Sequence, residues 1–249
     1  MRKLKNVLRA SSCCAFSILM CLPAAGQNVW SEADCVTLLD STSVTVQPNG
    51  SGSFAVYKSF KVQTPKGAVN NHVIKYDYDP LTAFARFKQV TVQRANGETM
   101  QVDVTKTCDY AAPARAIYWG ARQIMLELGR LEPGDVVSYE ISKKGFTYAL
   151  LAGAEDDDAR FIPPMRGQFY DIVPFWVNEP TRRKVYVVSM PMEKELQFQF
   201  YNGACTSSMR YEDGRKVYTF AMDEVLPFRK EPNMVDLFDE APKLMMSST

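Results

Sequence analysis

The sequence predicts an all-β fold, an antiparallel β-sandwich of about ten or more short strands with little helix, arranged as one sandwich or as two consecutive sub-sheets. Three observations predict it. Apolar and polar residues alternate with a period of two through many short runs. Turn dipeptides rich in Gly, Asn, Asp and Pro separate those runs. No strand–helix–strand unit with a helical period is recognisable. Several strands carry charges on both phases and show no lipid-facing apolar band, which argues against a membrane barrel.

Residues 1–26 read as a signal peptide. Arg2, Lys3, Lys5 and Arg9 precede the apolar run "CCAFSILMCLPAA", and small Ala24 and Gly26 suit a cleavage site before Gln27. The run is shorter than the ~20 residues that a transmembrane helix needs. Met20 before Cys21 does not suit a lipid-attachment site. Cleavage removes four of the 29 Lys and Arg and none of the 28 Asp and Glu, leaving 25 against 28, a net charge of −3. A mildly acidic chain without a basic stripe is a poor partner for nucleic acid. Of six cysteines, Cys35, Cys108 and Cys205 stay in the mature chain. They lack metal-ligand spacing and have His72 as their one histidine, so no metal or cofactor is expected. One disulfide with a free thiol, or three unpaired thiols, both fit.

After a short lead over 27–34, the first β-rich half covers 35–152. "VTLLDSTSVTVQPNGSGSFAVYKSFKVQTPKGA" predicts a hairpin about Asn49-Gly50, and "FARFKQVTVQRANGETMQVDV" predicts another about Asn96-Gly97. In the latter, Val90 and Val92 face one way and Thr91 and Gln93 the other. "AIYWGARQIMLELGRL" places Ile124, Leu126 and Leu128 on alternate positions and is read as a strand. In "LEPGDVVSYEI", Pro133, Gly134 and Asp135 form a structural turn between two paired strands, with Gly134 at positive φ and the acids facing solvent. Val137, Tyr139 and Ile141 then alternate with Val136, Ser138 and Glu140. Residues 153–167 are a loop and boundary. The second β-rich half spans 168–225, with Gly203 and Gly214 at turns. Residues 226–249 read as an extended, proline-punctuated linker.

Chemistry has few candidates. A cysteine nucleophile would have to recruit His72, and Cys205, following a glycine turn in "NGACTSS", is the thiol expected to be most exposed. His72 itself is explained as a polar residue on the wet face of a strand. The run Glu155, Asp156, Asp157, Asp158 lacks the interleaved Gly and distal Glu of a calcium loop and reads as solvated. Trp119 and Trp176, with the tyrosines, are possible ligand-binding aromatics that would stack on a sugar ring. Packing between sheets explains the same residues.

The hairpins, "YDYDP", "VTVQRANGETMQVDV" and "GRLEPGDVVSYEI" together resemble the DUF3857 domain of bacterial exported proteins, Bacteroidetes members in style, well over residues 35–150 and less specifically through "VYVVSMP", "YNG" and "EPNM". These motifs are turns and carry no catalytic signature. The resemblance implies export to the periplasm or cell surface, and a module that precedes a transglutaminase-like domain. The Cys, His and Asp of that catalytic domain match no residue here. On this reading the chain is a non-catalytic accessory whose tail leads towards a missing transglutaminase-like domain, in cis or in trans. Its rival is a free-standing carbohydrate or peptidoglycan-fragment binding module, with envelope protein or glycan as partner.

Overall fold

The computed structural model describes residues 28–112, 120–146, 167–228, 231 and 233–248. The chain enters through a single helical turn, α1 (Val29–Glu32), and forms its first hairpin from β1 (Cys35–Val46) and β2 (Gly52–Val62). Then follow α2 (Pro65–Asn70), β3 (Val73–Tyr78), β4 (Ala83–Gln93), β5 (Thr99–Gln101), a 3-10 turn (Val104–Lys106), β6 (Cys108–Ala111), β7 (Arg122–Glu127) and β8 (Val136–Gly145). The remainder comprises β9 (Tyr170–Pro174), β10 (Thr181–Pro191), β11 (Leu196–Tyr201), β12 (Thr206–Glu212), β13 (Arg215–Val225), α3 (Leu237–Glu240) and β14 (Lys243–Ser248). The fold is all-β. Both Asn-Gly hairpins form where the sequence places them, with Gly50 and Gly97 at φ of 88° and 90°.

The strands make one eight-stranded sheet, in the order β12-β13-β10-β1-β2-β8-β4-β5, and two three-stranded sheets, β3-β7-β6 and β11-β14-β9. Strand parity shows how these layers meet. On β2, the side chains of Phe54, Val56, Phe60 and Val62 point to one face because they alternate along an unbroken register with β8. Val56, Phe60 and Val62 join a core with Ile74 of β3, Ile124 and Leu126 of β7, and Phe87, Val90, Val137 and Ile141 of β4 and β8. Phe54 joins a second core with Val44, Tyr186, Val188, Phe220, Val173, Phe175, Leu244 and Met246. Both small sheets therefore lie side by side on the same face of the large one. The result is two layers with two adjacent cores.

Two expectations need correction, and one alternative left open is decided. The sandwich is not wholly antiparallel: β1 and β10 pair in parallel, with Val44 opposite Val188. These strands are separated by most of the chain, so no tight turn dictates their direction. The β-rich halves are consecutive in sequence but not separate in space, since β1 and β2 serve both cores. The supposed linker over 226–249 ends in β14, the central strand of its sheet, paired with both β11 and β9. Its apolar phase is short, Leu244 and Met246 in "KLMMSS", and that is why periodicity missed it; both side chains are buried. The expected leader over 1–26 and most of the boundary at 153–167 lie outside the described residues.

Candidate functional site

Two places among the described residues are candidates, a groove and a polar seam. The first is an open groove of about 700 Å³ at one end of the first core, lined by Pro65, Ala68, Val69 and His72 on one side and Gly129 to Pro133 on the other. Its first wall is α2 and the residues that follow it. Pro65 opens the helix, where a missing N–H costs nothing, and the Thr64 hydroxyl oxygen accepts a hydrogen bond from the Gly67 N–H at 3.0 Å. Thr64 also donates to Asp34 at 2.7 Å, which ties the cap to the start of β1. Val69 is 69% exposed, an apolar side chain facing water at the rim. His72 is exposed too, its Nδ1 hydrogen-bonded with the Val69 carbonyl.

The second wall is the "LEPGD" turn. Gly134 has φ of +99°, and a Cβ there would stand 2.9 Å from the Cβ of Ala95. Its N–H donates to the Val62 carbonyl at 2.8 Å, and Val62 N–H donates to the Asp135 carbonyl at 2.9 Å. The turn links β7 to β8, which the sequence reading took for a pair. They lie in different sheets, so the turn carries the chain from one layer to the other. Asp135 is likewise not on a solvent face. It is 2% exposed, and its carboxylate accepts from Arg94 at 2.6 Å and from the Glu132 N–H at 2.8 Å. The Arg94 guanidinium also donates to the Arg130 carbonyl at 2.9 Å. Glu132 is exposed and, among the described residues, its carboxylate pairs with exposed Arg130 at 3.3 Å.

These contacts make a prediction about the turn. Gly134→Val is expected to destabilise by about 1–3 kcal/mol, from the positive φ and the approach to Ala95. Glu132→Ala should fall within about 0.5 kcal/mol of wild type, because exposed ion pairs contribute little and its backbone N–H is kept. Urea denaturation of the two variants checks both.

The second place is a polar seam where the two cores meet. Asp171 of β9 is buried and accepts a hydrogen bond from the Tyr186 hydroxyl. The Lys143 ammonium stands 4.4 Å from the centroid of Phe54, and its pKa is lowered by burial, an effect partly offset by the Asp171 charge. Burial, then the Asp171 charge, pushes the Tyr76 phenol up to about 12. Tyr139 and Tyr186 are also raised, burial again being the largest cause. Further along the seam, Lys184 pairs with Asp40 at 2.6 Å. At neutral pH the phenols are neutral, Tyr186 donates to Asp171, and the Asp171 charge also acts on Tyr76 and Lys143, an arrangement that joins the two apolar cores through polar contacts.

The raised phenols make stability fall at high pH. Their folded pKa values exceed the unfolded value, so their stabilising contribution is complete below about 10 and declines as pH rises from there through the folded values. Lys143, lowered in the folded state, opposes this: its penalty is present below its folded pKa and fades as pH rises towards the ordinary lysine value. Above the ordinary lysine value the amine's contribution no longer changes while those of the phenols still decline, so stability falls there. An alkaline titration should show phenolate absorbance of these tyrosines appearing together with cooperative unfolding; smooth ionisation with the fold retained would contradict it.

The residues singled out from sequence are dispersed. Trp119 and the run Glu155–Asp158 lie outside the described residues. Trp176 is half-buried just beyond β9, next to fully buried Phe175. Cys35, Cys108 and Cys205 are all free thiols. Cys108 is the exposed one, whereas Cys205 is half-buried and packs against the second core, contrary to expectation. Burial pushes the Cys35 thiol up to about 12, so it stays protonated at neutral pH. Its sulfur accepts a hydrogen bond from Asn71 at 3.2 Å. Among the described residues, no group of three or more His, Cys, Asp or Glu is placed to hold a metal ion. No helix among them is long and apolar enough to cross a membrane. The seam was missed, although a signal existed. Asp171 shares its strand phase with Phe169, Val173 and Phe175, and Lys143 shares its phase with Val137, Tyr139 and Ile141. A charge on the apolar phase of a strand marks a buried polar contact.

Fold and site together define an all-β module with two cores under one sheet, a rim groove at one end and a structural polar joint at its centre. The chain belongs to the DUF3857 family, described as "Domain of Unknown Function with solved-structure structure", whose model matches residues 48–229. No curated protein matches the chain. Among solved structures, it is similar to a candidate protease from Parabacteroides distasonis, with 13% identity and a TM-score of 0.67, over 86% of this chain and 40% of that one. It is also similar to an M1 zinc metallopeptidase from Deinococcus radiodurans, with 14% identity and a TM-score of 0.44, over 87% of this chain and 42% of that one. The chain thus spans about two-fifths of the length of the solved structures it resembles.

Proposed function

We propose that the chain is a non-catalytic, exported β-sandwich module that packs on and positions a transglutaminase-like domain acting on protein or peptide substrates of the cell envelope. The observation that carries this reading is one of proportion. The same fold makes up only 40% of a longer chain named as a candidate protease, so in that protein it accompanies much further sequence. Family membership supports the reading, and the motif resemblance supplies the class of catalytic partner. The groove between α2 and the "LEPGD" turn is the surface we assign to the contact. Its lining is mainly apolar, Val69 is solvent-facing, and both walls are fixed by hydrogen bonds to residues at the ends of β1, β2 and β4. A rigid apolar surface loses little conformational entropy on docking.

The test is a binding titration of the chain against a transglutaminase-like domain from a DUF3857 protein, with Val69→Glu as the variant. Saturable binding that Val69→Glu weakens about tenfold or more is expected, since a carboxylate would have to be desolvated in the contact. A glycan screen run in parallel addresses the rival carbohydrate-binding reading, which rests on Trp119, Trp176 and the tyrosines, of which Trp176 lies among the described residues. Glycan binding abolished by Trp176→Ala, with no affinity for the catalytic domain, overturns the proposal.

A further inference from the structure

The eight-stranded sheet ends on one side at β12, "TSSMRYE", which among the described residues pairs with β13 alone. All seven of its residues are exposed, so the strand projects with both faces in water. An edge strand of this length offers a row of unpaired backbone groups, and proteins blunt such edges by shortness, proline, lysine or bulges. The opposite edge, β5, is three residues long. β12 has no proline, glycine or lysine, and its register with β13 runs without a bulge. Its two charges, Arg210 and Glu212, neutralise each other at 2.8 Å.

Which backbone groups are free follows from the turn. Asp213 and Gly214 have φ of 49° and 69°, a two-residue hairpin turn of the type that makes its flanking residues, Glu212 and Arg215, a hydrogen-bonded pair. By alternation, Glu212, Arg210, Ser208 and Thr206 turn their N–H and C=O groups towards β13, while Tyr211, Met209 and Ser207 turn theirs away from it. Met209 and Tyr211, 47% and 64% exposed, share the face that carries the cores, since Met209 stands opposite Tyr218. Phe198 of β11, also exposed, packs against Tyr218 and Phe220 and continues this apolar surface.

We propose that β12 is a self-association edge, which pairs antiparallel with β12 of a second copy about a two-fold axis at Met209. In this register the outward groups of two copies coincide and their facing side chains oppose no like charges, which favours a second copy as the occupant. Met209 meets Met209, and Ser207 and Tyr211 meet each other twice, with two hydrogen bonds at each of these outward pairs. Between them Ser208 faces Arg210 and Thr206 faces Glu212, so no like charges stand directly opposite. A shift of the axis to Arg210 would keep outward groups against outward ones but set two arginines directly opposite each other at the axis. The large sheet then continues across both copies, and Met209 and Tyr211 of each are covered.

The experiment is sedimentation equilibrium of the full chain purified from the envelope fraction, with three variants. Wild type is expected to show concentration-dependent dimerisation. Met209→Pro should weaken it at least about tenfold with thermal stability unchanged, because proline removes only an outward N–H and leaves the ladder to β13 intact. Met209→Lys and Met209→Glu should each abolish self-association, by opposing like charges at the axis, and should pair with each other when mixed. A monomer at every concentration overturns the proposal. So does a dimer that persists in all three variants, or charge variants that fail to pair when mixed.

Discussion

Asp135→Ala should destabilise the protein by about 3 kcal/mol, among the largest single effects available in the fold. The carboxylate is nearly inaccessible and serves two donors at once, the Arg94 guanidinium and the Glu132 N–H. Alanine leaves the Glu132 N–H without its side-chain acceptor and removes the partner of a cation. Arg94 is itself 29% exposed and can recover part of its hydration, which keeps the cost near the low end for a broken buried pair. Asp135→Asn should recover part of the loss, since its carbonyl oxygen can still accept one bond while the charge is gone. The same turn forms one wall of the groove, so on the proposed function Asp135→Ala should also weaken binding of a transglutaminase-like domain under conditions where the chain is still folded. Chemical denaturation of both variants gives the stability order; equal stability of wild type and Asp135→Ala would contradict the account of the turn.

Truncation after Pro242 should have a larger effect still. Among the described residues β14 is the only strand that joins β9 to β11, and Leu244 and Met246 fill the second core. Removal leaves two unpaired strands and exposes Val173, Phe175 and Leu196, which lie under it in the same core. Loss of Leu244 alone as Leu244→Ala is expected to cost about 2–5 kcal/mol, and the whole strand costs more than a domain of this size commonly has in reserve. Hydrogen exchange should then show 168–225 unprotected while the core about Leu126 and Ile141 keeps partial protection. Unchanged protection of β9 and β11 in the truncated chain would contradict the assigned topology.

Much of the fold was legible because alternation is a local property. Val90 and Val92 are buried against Thr91 and Gln93, and Val137 and Ile141, with half-buried Tyr139 between them, pack on the first core as the period requires. Asn-Gly turns fixed two hairpins by their tolerance of positive φ. Illegible were the facts that depend on distant pairing: the parallel union of β1 and β10, the passage from β7 to β8 between layers, and the capture of β14 as a central strand. No residue near β14 announces its partners. The site divides in the same way. The strained glycine of the "LEPGD" turn could be read, whereas the burial of Asp135 depends on Arg94 from another strand. The groove needs α2 and the loop after β7 together, and those segments are some sixty residues apart in sequence. The seam was readable in principle from the phase of Asp171 and Lys143, but only once their strands were aligned.

The central claim, that this module docks a catalytic domain through its groove, is tested most directly by hydrogen–deuterium exchange of the chain with and without a transglutaminase-like domain. The account predicts new protection confined to residues 65–72 and 129–133, the two walls of the groove, with the buried cores unchanged. Protection absent from both walls, at concentrations where the two proteins form a complex, would contradict it.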